Sequence, residues 1–226
     1  MSINLRNAAP TGVYLLTADM LDTAWLLART RAALAAGIGW LQYRNKLASV
    51  ALRREQAHAL RQLTRAHRAR LIVNDDARLA VEVQADGVHL GRDDGDLTEV
   101  RTVVGTAATI GVSGYDDFER ARRVWQTGAD YVAFGAMFAS AVKPEAVRAP
   151  LALLSRARAA GMHVVAIGGI DAENIGRVAA AGAQAAALIS AVYDASDPGA
   201  AAARLVAAFA AGRETFTHAR AHDEHN

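Results

Sequence analysis

The chain repeats one local pattern eight times: a short run of β-branched, leucine or aromatic residues, then a longer Ala- and Arg-rich segment with apolar residues at helical spacing. The runs are Val13–Thr17, Trp40–Arg44, Leu71–Asn74, Gly87–Leu90, Thr109–Ser113, Tyr131–Gly135, Val164–Gly168 and Ala186–Ser190. Asp22, Ser49, Asp96, Asp116 and Asp171 stand where helix N-caps are wanted, and Gly37, Gly128, Gly161 and Gly182 where helices end. No hairpin signal separates the runs, so consecutive strands are joined by helical crossovers and lie parallel. Eight parallel strands in about 200 residues close most simply into an α/β (β/α)8 TIM barrel. An open doubly wound sheet is the competing arrangement, but no G-x-G-x-x-G follows the first run to support dinucleotide binding.

No composition break or linker divides residues 1–226, which read as one domain. Residues 1–10 are expected to be a loose lead-in, and residues 213–226, with His218, His222 and His225, a disordered polar tail. The chain has no cysteine, which excludes a disulfide scaffold, a zinc ribbon and a thiol nucleophile. No apolar run approaches the roughly 18 residues of a membrane span, and no leader pattern opens the sequence, so the expected address is cytoplasmic. Net charge is only +2, and the arginines are spread among acids. Aromatic residues are 6% of the chain, and a nucleic-acid surface would cluster bases beside stacking rings. Nucleic acid and membrane are therefore not expected partners. A homo-oligomer remains open.

In a barrel of this type, chemistry occupies the loops after the C-terminal strand ends. The unusual polar residues fall there: Gln42-Tyr43-Arg44-Asn45-Lys46 after the second strand, Asn74-Asp75-Asp76 after the third, Asp93 and Asp94 after the fourth and Ser113 at the end of the fifth. Lys143 lies in the sixth loop, Gly168-Gly169 ends the seventh strand and Ile189-Ser190 the eighth. Lysine occurs only at positions 46 and 143, both in these loops, in a chain that uses arginine everywhere else. An ammonium is a compact point charge suited to an anion site, where a guanidinium does not replace it. Alternation puts Gln42 and Arg44 on one strand face and Tyr43 on the other. Buried polar groups on the inner face need partners, which a polar ligand, or an Arg44–Asp75 pair, would supply. Asp75 and Asp94 end neighbouring strands, and two facing carboxylates suit Mg2+ shared with substrate phosphate, unless Asp93 or Asp94 only caps the next helix. Gly168-Gly169 and Ile189-Ser190 suit a backbone phosphate cup. Two anion sites imply small phosphorylated substrates, one of them a diphosphate.

These residues resemble the thiamine-phosphate synthase family over Val13 to about Phe209, on the ordered set of the Gln42–Lys46 segment, Asn74-Asp75, Gly87-Val88-His89-Leu90-Gly91 with Asp94, Gly111-Val112-Ser113, Ala129-Asp130-Tyr131-Val132, Lys143, Ala166-Ile167-Gly168-Gly169-Ile170 and Ile189-Ser190. The resemblance implies a transferase joining 4-amino-2-methyl-5-(diphosphooxymethyl)pyrimidine to 4-methyl-5-(2-phosphooxyethyl)thiazole, giving thiamine phosphate and pyrophosphate. It implies Gln42, Tyr43, Arg44, Asn45, Lys46, Asn74, Ser113 and Lys143 around the pyrimidine diphosphate, with Arg44, Lys46 and Lys143 as the catalytic cations. Ser140, Ala141, Val142, Gly169, Ile189 and Ser190 would hold the thiazole phosphate, and Asp75 and Asp94 the Mg2+. The chain departs from the family pattern in three places. Ala139-Ser140-Ala141-Val142-Lys143 replaces Pro-Thr-x-Thr-Lys, Arg92 replaces a Gln, and Ser113-Gly114-Tyr115 replaces Ser-x-His. A related thiazole tautomerase, which relies on a histidine near the fifth loop, fits less well: no histidine lies between His89 and His163. A non-catalytic barrel that binds phosphorylated precursors is a third possibility, which retention of both lysines and both carboxylates opposes.

Overall fold

A computed structural model describes residues 7–92, 94–139 and 147–223, the last six as backbone only. Among them, eight parallel strands close into a barrel in sequential order, β1 pairing with both β2 and β8. The strands are β1 Gly12–Leu16, β2 Trp40–Tyr43, β3 Arg70–Asn74, β4 Gly87–Leu90, β5 Thr109–Tyr115, β6 Tyr131–Phe134, β7 Val164–Ile167 and β8 Ala185–Leu188. The helices between them are α1 Thr23–Ala35, α2 Val50–Ala66, α3 Ala77–Glu82, α4 Leu97–Val104, α5 Phe118–Thr127, α6 Ala152–Ala159 and α7 Ile175–Ala180; α8 Ser190–Tyr193 and α9 Pro198–Asp223 follow β8. The strand positions expected from the sequence hold within about two residues, and the open-sheet alternative is excluded.

Local chemistry sets the boundaries. Asp22 accepts from the Trp25 amide, Ser49 from Leu52, Asp76 from Leu79 and Asp96 from Thr98 and Glu99, each cap contributing about 1 kcal/mol. The cap of α5 is Asp117 rather than Asp116, because β5 runs on to Tyr115 through an irregular register and delays the helix. Asp171 accepts from the Glu173 and Asn174 amides and so caps the turn before α7. The four glycines expected to close helices all have positive φ, between 80° and 111°.

Alternation divides the apolar residues between two cores. One face of the sheet packs against the helices through residues such as Leu15, Leu41, Leu71, Val88, Ile110 and Val132. The other fills the barrel with Tyr14, Trp40, Ile72, Tyr131, Val165, and Ala185 and Ala187 of β8. Here the small side chains of one wall accommodate the rings of the other.

Two terminal expectations are corrected. Residues 7–10 are fastened to the N-terminal end of the barrel rather than loose. The Asn7 amide donates to the buried Asp130 carboxylate, the Thr109 hydroxyl donates to the Ala8 carbonyl, and His163 Nε2 donates to the Pro10 carbonyl at 2.7 Å. Asp130 also accepts from the Ile110 amide and from Arg101 at 2.8 Å, so a buried charge is fully partnered. At the other end, α9 continues through Arg213 to Asp223, so this stretch is helical rather than disordered. The side chains of His218, His222 and His225 lie outside the described residues. No helix among the described residues is long and apolar enough to cross a membrane.

His163 gives this base a pH dependence. Burial is the main reason its pKa lies below the ordinary imidazole value, and Arg158 and Arg213 add to it. The unfolded chain therefore takes up a proton near pH 6.5 that the folded chain resists, and stability must fall as pH drops through that value. Denaturant midpoints measured from pH 7.5 to 5 should decline more steeply for the wild type than for His163→Gln. Parallel profiles would show that His163 does not carry this dependence.

Candidate functional site

The polar residues singled out in the loops collect at the C-terminal mouth. Asp75 is bonded through its amide to the His89 carbonyl at 2.8 Å, which draws the ends of β3 and β4 together. Its φ of 64° is in the left-handed region, where a short polar side chain is among the few tolerated. The Asp75 carboxyl lies near enough to that of Asp94 for each to disfavour charge on the other. Burial first, and the Asp94 carboxylate second, push Asp75 up to about 6, while Lys46 and Arg44 pull it back. Of the five expected charges, Asp94, Lys46 and Arg44 thus all act on Asp75. Lys143, the fifth, and Ser140, Ala141 and Val142 lie outside the described residues, as does Asp93.

Asp94 does not cap the next helix; Asp96 does. Its Oδ2 instead accepts from the Gly91 amide at 2.6 Å. A Cβ on Gly91 would lie 2.6 Å from that same oxygen, so a side chain there would require the Asp94 carboxylate to move.

The β2 loop corrects two expectations. Arg44 pairs with Asp19 at 2.8 Å rather than with Asp75, and Asp19 also accepts from the Lys46 amide at 2.8 Å. Asp19, which the sequence analysis passed over, therefore sets the course of the segment that carries both cations. Gln42, on the inner face, donates to the Tyr14 hydroxyl at 2.8 Å. Both inner polar residues thus have protein partners, and burial alone does not demand a ligand. Tyr43 and Asn45 turn away from the mouth. The Tyr43 hydroxyl and the Asn45 amide both donate to Gln56 on α2, and the Asn45 carbonyl oxygen accepts from the Leu47 and Ala48 amides. These two side chains brace the loop from behind, within the sheet–helix core.

Ser113 ends the regular part of β5, its hydroxyl 3.0 Å from His89 Nε2. Arg120 of α5 donates to the carbonyls of Ser113 and Gly91, tying β5 to the Asp94 loop. Two of the departures from the family pattern meet here, with the Arg92 guanidinium 5.0 Å above the Tyr115 ring. Across the mouth, Gly169 has a φ of 64°, and a Cβ on it would lie 2.4 Å from the Ala139 carbonyl oxygen. Its backbone therefore seats directly on the β6 loop. Ser190 begins α8, exposed on the neighbouring strand end, and Ile189 precedes it half-buried. Asn74 is half-buried beside Asp75.

Comparison with known proteins identifies the family. Residues 13–192 match the family model described as thiamine monophosphate synthase. The thiamine-phosphate synthase of Chromobacterium violaceum is 52% identical over 88% of this chain and 97% of its own length. That of Xanthomonas campestris is 52% identical over 94% and 98%. The structure of a thiamine phosphate pyrophosphorylase from Pyrococcus furiosus superposes with a TM-score of 0.81 at 32% identity, covering 89% of this chain and 96% of that one. By sequence and by barrel alike, the chain belongs to the thiamine monophosphate synthase family.

Proposed function

We propose that the chain catalyses its family's reaction at the mouth just described, coupling the pyrimidine diphosphate to the thiazole phosphate with release of pyrophosphate. Its enzyme type is that of the thiamine-phosphate synthases it matches. The observation that best supports the assignment of the site is that Asp94, Lys46 and Arg44 all act on the half-buried Asp75 carboxyl.

The chemistry asks for charge stabilisation rather than a protein nucleophile. Loss of pyrophosphate from the exocyclic methylene leaves a resonance-stabilised pyrimidine cation, which the thiazole nitrogen captures. Arg44, Lys46 and Lys143 would meet the negative charge that gathers on the departing diphosphate, in positions set before the bond breaks. The Arg44–Asp19 pair and the Asp19 bond to the Lys46 amide hold that segment in place. Gln42, Asn74 and Ser113 would orient the pyrimidine. Gly169, Ile189 and Ser190, with Ser140, Ala141 and Val142, would receive the thiazole phosphate, largely through backbone amides. Tyr43 and Asn45 serve the site by bracing the β2 loop.

Asp75 and Asp94 fit a divalent cation. They are two carboxylates brought together at the cost of a raised Asp75 pKa. Mg2+ commonly takes one or two carboxylates and completes its shell with water and substrate phosphate; bound here, it would supply positive charge to the diphosphate.

Asp75→Ala and Lys143→Ala should each lower the rate of pyrophosphate release by about a hundredfold, on the order of 3 kcal/mol, with circular dichroism unchanged. Turnover equal to the wild type in either variant would remove that residue from the site. Gly91→Ala should displace Asp94 and raise the Mg2+ concentration for half-maximal activity about tenfold. An unaltered Mg2+ dependence would separate Asp94 from the metal.

A further inference from the structure

Gln42 and Ser113, assigned above to the pyrimidine, are joined through the barrel interior by Tyr14, Tyr131 and His89, buried polar groups that the reaction does not call on, and the bonds of this run have a direction. The Gln42 amide nitrogen donates to the Tyr14 hydroxyl at 2.8 Å. The Tyr14 and Tyr131 hydroxyls are 3.0 Å apart, the Tyr131 hydroxyl is 3.0 Å from His89 Nδ1, and His89 Nε2 is 3.0 Å from Ser113 Oγ. The imidazole stacks on the Tyr131 ring with centroids 5.5 Å apart, which fixes the plane in which its two nitrogens face.

An amide nitrogen only donates, so the Tyr14 oxygen accepts from Gln42 and its single hydrogen is left for Tyr131. Tyr131 accepts there and turns its own hydrogen to His89 Nδ1. Nδ1 can take that hydrogen only if it carries none of its own, so the ring is a neutral imidazole. A neutral imidazole that accepts at Nδ1 has its proton on Nε2 and donates to Ser113 Oγ. Ser113 is thereby an acceptor on its inner side, and its hydroxyl hydrogen is left for the mouth. No member can turn alone without setting two hydrogens, or two lone pairs, against each other in a space closed to water.

We propose that Tyr14, Tyr131 and His89 are positioning residues. They form a one-way hydrogen-bond relay that presents Ser113 to the substrate as a hydroxyl donor and Gln42 as a carbonyl acceptor. An aminopyrimidine ring is the matching ligand, because it has ring-nitrogen acceptors beside an amino donor. The inference deepens the proposed function and rests on its assignment of Gln42 and Ser113 to the pyrimidine substrate.

Long-range 1H–15N correlation spectra of the 15N-labelled protein test the relay without reference to turnover. The His89 signal is identified by its loss in His89→Gln. It should show Nε2 protonated and Nδ1 bare in the wild type, and Tyr131→Phe should move both nitrogens toward the averaged values of a free imidazole. Tyr131→Phe should also raise KM for the pyrimidine diphosphate about tenfold, the scale of one hydrogen bond, with KM for the thiazole phosphate unchanged. Should Tyr131→Phe not fold, Tyr14→Phe breaks the relay one link earlier and should give the same two changes. A wild-type His89 protonated on Nδ1, or a tautomer and KM indifferent to the loss of a tyrosine hydroxyl, would overturn the proposal. Ser113→Ala separates the two levels. If it leaves the pyrimidine KM untouched while the tautomer is as expected, the site assignment fails and with it the relay's role toward substrate.

Discussion

A closed parallel barrel sends every second side chain of each strand into one confined interior, and every polar group placed there must find its partner inside. That constraint shapes this molecule more than any single contact. Tyr14, Gln42, His89 and Tyr131 occupy interior positions on four different strands, and each bonds to another across the barrel. Above this layer the strands end, and the loops rather than the alternation bring charged residues together at the opening. Burial together with the like charge of Asp94 raises Asp75. The difference between the two layers is the difference between a core and a site.

Much of this architecture is legible in the amino-acid order, because it depends on local signals. Glycine closes α1, α5, α6 and α7 at positions any helix grammar would choose, and Asp or Ser opens α1, α2 and α4. The loops with the unusual lysines and aspartates follow once strand order is known. What stays hidden is partnership across space. Nothing adjacent in sequence pairs Arg44 with Asp19, since the two lie on separate loops 25 residues apart. Nor does alternation alone reveal that Tyr43 and Asn45 both reach Gln56. Asp19, Gln56 and Arg120 carry no motif, yet each holds a loop that does. The expectation of a free polar tail failed for a related reason: the segment beyond Arg213 is polar, but it extends a helix already packed on α7 and α1.

The departures from the family pattern are physically paired. Arg92 and Tyr115 occupy different loops, yet the guanidinium of one lies over the ring of the other, with Arg120 on the same ring at 5.7 Å. A cation stacked on an aromatic face is worth about 0.5–1 kcal/mol at an exposed site. That is enough to steady the Asp94 loop from outside while the Gly91 amide holds it from within. Two replacements that look independent along the sequence therefore belong to one contact beside the proposed metal position.

The base of the barrel has a consequence for synthesis. Residues 7–10 bond to Thr109, Asp130 and His163, and β1 needs β8 as well as β2. This early segment thus has its partners among residues made about 100 to 180 positions later. While translation proceeds, that segment and one edge of β1 stay without them. Only after residue 188 emerges can the ring shut, so the nascent chain depends on its last strand to shelter its first.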